Sequence, residues 1–173
     1  MHIKGKKIIL RSVIFDDAAQ LTTWFLDREI NDHVVRKMLR KQDIETWITS
    51  LPEKKEEFHL MVTTNDHISI GCISLKINFQ DRHAELALLI GEKEYWGKGY
   101  GVQSSSLMIQ YAFKKLHIHK IWLGVYVYNT RALSLYRKLG FVQEGILREQ
   151  VYYKKKYYDE IIMGLLASEW NLS

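Results

Sequence analysis

Three stretches of this 173-residue chain place reactive or ligand-holding residue types at spacings that invite chemistry. The first is "YWGKGYG", Tyr95–Gly101, where Gly97, Gly99 and Gly101 alternate directly ahead of a helix-like run. A strand, a glycine-rich turn and a helix start together form an anion cradle. Backbone N–H groups point outward, glycines allow close approach, and the helix dipole favours negative charge. The second is "YNTRALSLYRKLGF", Tyr128–Phe141, with Asn129 at an N-cap position and Tyr136 seven residues on, on the same stripe as Ala132. The third is "HAELALLI", His83–Ile90, where Glu85 stands among apolar residues on the strand that leads into the glycine turn. Phosphate is the ligand such a cradle suggests. Taken singly, the pieces leave plain alternatives open: a tight turn without ligand, an Asn129 that only caps, a Tyr136 that only packs.

The familiar phosphate motifs do not fit. Five residues separate Gly91 from Gly97, and Gly99 follows Lys98 where a P-loop needs a hydroxyl for Mg²⁺. A dinucleotide fingerprint fails too, because the third glycine comes one residue early, the motif is mid-chain, and residues near 120 offer His117, His119 and Lys120 in place of an acid. No Gly-x-Ser-x-Gly nucleophile elbow occurs, and Ser104–Ser106 falls inside the helical run. His117 and His119, in the segment before a strand, read as solvent-facing loop histidines, a poor metal pair; no metal is expected. The single cysteine, Cys72, excludes an internal disulfide and reads as a buried structural thiol in a strand.

These stretches need elements to hold them. Lys6–Val13 reads as a strand, and Phe15–Leu26 as a helix with Asp16 and Asp17 near its positive end. Asp43 is placed to cap a second helix running to Leu51. Phe58–Thr64 and Ile68–Phe79 read as a hairpin about Asn65-Asp66, with His83–Glu92 as the next strand. A helix over Gly101–Leu116, a strand over Lys120–Val127 and a short helix over Thr130–Leu139, closed by Gly140, follow. "FVQEGILRE" and "KYYDEIIMGLLASEW" end the chain as two strands. The expected fold class is α/β (α+β): one domain over residues 1–173, with a curved, mixed, mostly antiparallel sheet of about seven strands flanked by about four helices.

Hydrophobic residues make up 47% of the chain and charged residues 26%, the balance of a globular protein. "MHIKGKKIIL" has too short an apolar run for a signal peptide, and no run approaches membrane-spanning length, so a cytoplasmic setting and no membrane partner are expected. The net charge is +5 with a pI near 9.2, but the basic residues are scattered, which suits steering of a small polyanion. "YYKKKYY", Tyr152–Tyr158, reads as one solvated strand face, so a nucleic-acid partner is not expected.

Glycine loop and Asn–Tyr helix together resemble the GNAT acyl-CoA N-acyltransferases. The resemblance runs from "IILRSVIFDDAAQL" to "DEIIMGLLASEW" and is strongest toward the RimJ/RimL-like branch and spermidine acetyltransferases, in "HAELALLIGEKEYWGKGYG" and "YRKLGFVQEG". It implies acetyl-CoA as co-substrate. Backbone amides from Trp96, Gly97, Lys98, Gly99, Tyr100, Gly101 and Val102 would hold the pyrophosphate, Leu88, Leu89 and Ile90 would pair with the pantetheine arm, and Asn129 would hydrogen-bond the same arm. Two positions depart from the pattern: Trp96, where relatives usually carry Gln or Arg, and Val102, where they often carry a hydroxyl.

Acetyl transfer from a thioester needs a neutral amine, an oxyanion donor and a proton for the leaving thiolate. An alkyl amine of pKa near 10 is only about 0.1% neutral at pH 7, so a base is useful. Glu85 is the candidate base, direct or through water, against the alternative of a solvated residue paired with Arg82 or a lysine. By resemblance Tyr136 is the acid, and an N–H near Leu89 or Ile90 would polarise the thioester. The acceptor site is expected within Leu21–Ser50, where acids and bases nearly balance and Trp24, Phe25 and Trp47 could wall a pocket. A protein or peptide N-terminus is the first acceptor expected; a polyamine, amino sugar or aminoglycoside comes next. An acyl-CoA-binding domain without catalysis is the alternative from another class. The resemblance leaves a homo-oligomer open, since members of the branch occur as monomers, dimers and rings.

Overall fold

The computed structural model describes residues 1–31 and 41–171. Strands β1 (His2–Lys4) and β2 (Ile8–Ser12) precede three helices, α1 (Ala18–Leu26), α2 (Arg28–Asn31) and α3 (Lys41–Ser50). A meander of β3 (Glu57–Thr64), β4 (Ser69–Asn78) and β5 (His83–Ile90) leads to α4 (Tyr100–Lys114). Then come β6 (Lys120–Tyr126), α5 (Thr130–Lys138), and a long hairpin of β7 (Val142–Tyr153) and β8 (Lys156–Leu166). The described residues form one eight-stranded sheet in the order β1-β2-β3-β4-β5-β6-β8-β7.

All neighbours in this sheet run antiparallel except β5 and β6. Their parallel ladder is confined to His83↔Lys120, Ala84↔Ile121 and Glu85↔Trp122. β4 stays paired with β5 as far as Ile90. Beyond Glu85, therefore, β5 and β6 part company, and the sheet opens in its middle. Both strands run from that opening into the stretches singled out above, the glycine turn after β5 and Asn129 after β6.

Alternation along β5 sends residues to two cores, one on each face. Ala84 and Leu86 pack with Met108, Ile109 and Ala112 of α4. Leu89 packs on the opposite cluster, built by Leu21 and Phe25 of α1 and Ile44 and Ile48 of α3. Fully burying one such aliphatic side chain contributes about 1.5–3 kcal/mol, so both helical layers are held firmly to the sheet.

Several local expectations change in the structure. The first helix starts at Ala18 after a 3-10 turn at Phe15–Asp17. Asp17 receives the Arg11 guanidinium at 2.6 and 2.8 Å and the Ile14 N–H at 2.9 Å, so its charge is spent on an ion pair and a turn. Asp43 lies inside the first turn of α3 instead of capping it. "ASEW" is not strand: the Glu169 carboxylate accepts the Leu166 N–H at 2.9 Å and closes a 3-10 turn. The short β1 and α2 were not foreseen, which makes eight strands where about seven were expected. Gly140 does end α5, at φ +91° with its N–H on the Arg137 carbonyl. No helix among the described residues is long and apolar enough to cross a membrane.

Candidate active site

Helix α4 begins at the glycine turn. Gly99 is its N-cap at φ +85° and Gly97 sits at φ +73°, left-handed conformations that glycine adopts without strain. Gly101 is needed for a different reason: a Cβ there would lie 2.8 Å from Leu135 Cδ1 and 3.3 Å from Leu88 Cδ2. Its absence lets α4 and α5 close on the end of β5. A cavity of about 390 Å³ opens at this junction. Among the residues expected at the cofactor, Leu88, Leu89, Ile90, Trp96, Gly97, Gly99, Tyr100, Gly101, Val102 and Asn129 all line it. Lys98 does not; its ammonium lies 5.9 Å from the Tyr95 ring centroid.

The substitution of Trp at position 96 has a structural consequence. The Trp96 indole N–H donates to the Ile90 carbonyl at 2.7 Å, tying the turn back to the strand end. The Arg131 guanidinium stacks on the same ring, 4.2 Å from its centroid, and lines the cavity. Arg131 was missed in the sequence. Its adjacency to Asn129 was visible, but nothing there showed that Trp96 would hold it over a phosphate-sized cradle. Asn129 caps α5 as expected, its Oδ1 accepting the Ala132 N–H at 3.1 Å.

A second cavity, of about 370 Å³, opens on the α1/α3 face of the sheet. Phe25 and Trp47 form its apolar wall, and Cys72, Glu85, Glu57 and His59 line the sheet side. Trp24 belongs to the core instead: it is 2% exposed and donates to Glu92 Oε1 at 2.9 Å. Arg36, Lys37 and Arg40, counted among the charges of the expected acceptor segment, lie outside the described residues. The two cavities meet in the sheet opening, where Leu88, Leu89, Asn129, Ala132 and Tyr136 line both. Tyr136 is 6% exposed and packs edge-on against Phe141.

Comparison with known proteins decides the family. Residues 7–142 match the acetyltransferase (GNAT) domain. The chain belongs to the GNAT acetyltransferase family. It is 32% identical to the probable N-acetyltransferase YjcK of Bacillus subtilis over 95% of this chain and 96% of that one. It is 37% identical to the spermidine N(1)-acetyltransferase of Vibrio cholerae, in a match that spans 58% of each chain. The solved structure of spermidine N-acetyltransferase from Vibrio cholerae in complex with CoA and spermine superposes with a TM-score of 0.89 at 28% identity, covering 95% of this chain and 98% of that one. The fold is thus a GNAT fold, the chain is an N-acetyltransferase, and acetyl-CoA is its co-substrate.

For a GNAT enzyme the electrostatics of the junction are informative. Burial pushes the Tyr136 hydroxyl well above the ordinary tyrosine value, so it stays protonated and able to donate. Burial also pushes the Cys72 thiol up, to about 12. Cys72 is half-buried on the cavity wall, an inert thiol as expected, though not a core one.

Glu85 is half-buried on the cavity wall, opposite Lys76 on β4 and Trp122 on β6. Arg82, its suggested solvated partner, donates from Nε to the His117 carbonyl at 3.0 Å. A further carboxylate, Glu160 of β8, was not foreseen. It is 6% exposed and reaches across β6 into the space above Gly124, where any Cβ would collide with its carboxylate. Burial, then the charge of Glu85, raises the Glu160 carboxyl above the usual range. An acid in the middle of the apolar "YYDEIIMG" was the available signal. His59 and Glu57 were missed as well, because strand residues on β3 acquire meaning only once α3 covers them.

Proposed function

We propose that this enzyme moves the acetyl group of acetyl-CoA directly to a primary amine in a ternary complex, with Glu85 as base and Tyr136 as acid. The observation that carries the proposal is the meeting of the two cavities at Tyr136, in the gap between β5 and β6. The pyrophosphate would lie on the N–H groups at the start of α4, with Arg131 beside them, where helix dipole and cation both favour an anion. The pantetheine arm would follow Leu88–Ile90 and Asn129 toward the gap. There an N–H near Leu89 or Ile90 would polarise the thioester carbonyl. The amine, freed of a proton by Glu85 or by a water that Glu85 activates, attacks the carbonyl carbon. As the C–S bond breaks, Tyr136 protonates the sulfur.

For the acceptor, the small cationic amine is now our first reading, in line with the spermidine acetyltransferase relatives. The sheet supplies carboxylates to the cavity: Glu57 and Glu85 on its wall, with Glu160 behind Gly124. A peptide N-terminus is the second reading, favoured by the apolar wall of Phe25 and Trp47, against which a first side chain would fit. Thiol release from acetyl-CoA with spermidine, spermine, an alanine-initiated peptide, an amino sugar and an aminoglycoside separates these. A kcat/KM for the polyamines at least about tenfold above the others supports the first reading. Preference for the peptide supports the second. Acetyl-CoA binding without turnover of any amine would contradict catalysis and leave an acyl-CoA-binding domain.

A further inference from the structure

Acetylating an alkylammonium removes two protons from its nitrogen. One leaves before attack, to expose the lone pair; the second leaves the tetrahedral adduct as the amide forms. Only one is returned, to the sulfur through Tyr136, so the balance is R–NH₃⁺ + CH₃CO–SR′ → R–NH–COCH₃ + R′SH + H⁺. Tyr136 gives its own proton to the sulfur and regains one from the adduct nitrogen, so the proton taken by Glu85 is the one that must leave the cavity before the next turnover, through an acceptor with a way out to solvent.

We propose that His59, held by Glu57, is this acceptor, taking the proton from Glu85 through water and passing it out of the cavity; the proposal rests on the acetyl-transfer reading above. His59 and Glu57 alternate on β3 and so share its cavity face, with Nε2 3.0 Å from Glu57 Oε2. The Trp47 ring from α3 stands edge-on to the imidazole, centroids 4.9 Å apart at 88°, which fixes its plane. His59 lies opposite Ser74 of β4, which in turn lies opposite Ala87 of β5. That cross-strand row falls between the row of Leu89 and Cys72, toward the sheet gap, and the row of Glu85, Lys76 and Glu57. His59 therefore faces the reacting end of the cavity from across about 10 Å of sheet, the width of two strand spacings.

The chemistry of the pair sets its direction. Burial opposes the charge of Glu57, but the hydrogen bond from His59 and the charge of Lys54 outweigh it and bring the carboxyl below its usual range. An ionised carboxylate only accepts, so Nε2 carries the hydrogen and Nδ1 is left with the lone pair. Burial lowers the pKa of His59, Glu57 raises it, Lys54 lowers it, and the net shift is downward. The imidazole is accordingly neutral at neutral pH and ready to accept. Charged or titratable groups on its cavity are Glu57 on its own strand, Lys54 from the preceding turn, Cys72 and Lys76 from β4, Glu85 from β5 and Tyr136 from α5. Helices α1 and α3 present Phe25 and Trp47 among the described residues. Once protonated, His59 passes its Nε2 proton toward Glu57, whose Oε2 also meets the partly exposed Lys54 ammonium at 3.5 Å, on the way to water.

The sign of the pH effect follows. Activity rises as pH climbs through the His59 pKa, so the acid limb lies below the ordinary 6.5. Removing the Glu57 charge takes away an influence that favours the protonated ring, which moves the limb lower still. The test measures thiol release with spermidine and with an alanine-initiated peptide from about pH 5 to about pH 9, for wild type, His59→Ala, His59→Gln and Glu57→Gln, with acetyl-CoA titrated into each. We expect His59→Ala and His59→Gln to lower kcat about 10²-fold with acetyl-CoA affinity unchanged. Added imidazole should restore part of the His59→Ala activity, and Glu57→Gln should shift the acid limb downward. An acid limb at the wild-type position in His59→Ala, or lost activity that imidazole does not restore, would overturn the proposal. Should the His59 variants fail to bind acetyl-CoA, a Glu57→Gln limb at the wild-type position would overturn it instead. Wild type that turns over neither amine removes the acetyl-transfer reading and this one with it.

Discussion

The cavity proposed for acetyl-CoA is lined mainly from a few short stretches, the glycine turn and the end of β5, closed by α5. The cavity proposed for the acceptor is lined by residues from α1, α3, β3, β4, β5, β6 and α5. On the proposed reading the first binds a ligand of fixed chemistry, for which backbone N–H groups and left-handed glycines suffice. On the same reading the second tells one amine from another, with side chains that each have their own exposure and partners. Recognition of the invariant half of the reaction is local in the chain; recognition of the variable half is assembled by the fold.

The sharpest way to break this contrast is to charge the cradle. Gly99→Glu is expected to weaken acetyl-CoA binding by more than about 100-fold, since it puts a carboxylate at the dipole's positive end where the pyrophosphate must lie. Gly99→Ala, strained at φ +85° but neutral, should keep most of the affinity. Calorimetric titration of both variants checks this. On the other side of Tyr136, Glu85→Gln should lower kcat about 10²-fold at unchanged acetyl-CoA affinity, as steady-state thiol release would show. Trp47→Ala should raise the KM for the amine about tenfold, through loss of the apolar wall and of the ring that holds His59. The smallest effect is expected for Arg131→Ala: acetyl-CoA affinity about fivefold lower, with a flatter dependence on salt in the same titration.

What could be read along the chain follows the same division. Gly97, Gly99 and Gly101, with Asn129 and Tyr136, lie in two contiguous stretches whose spacing already implies turn, cap and stripe, and the structure puts all five on the first cavity, with Asn129 and Tyr136 on both. Gly97 and Gly99 serve conformation and Gly101 serves packing, a distinction invisible until Leu135 is placed. Glu85 stood out as an acid among apolar residues. Glu57 and His59 did not, because an alternating β3 looks the same whether its polar face meets water or α3. Arg131 escaped because its partner Trp96 lies 35 positions earlier, across the fold. Edges of elements moved for local reasons, as at Asp17 and Glu169, where a carboxylate closes a turn.

The meeting of the two cavities at Tyr136 is tested most directly by Tyr136→Phe, assayed for acetyl-CoA affinity by calorimetry and for thiol release with spermidine. The phenyl ring keeps the packing against Phe141 and removes only the proton donor. The account predicts a kcat lower by about 10²–10³-fold with acetyl-CoA affinity within about twofold of wild type. A variant that keeps wild-type turnover, or one that loses acetyl-CoA binding in step with activity, would contradict it.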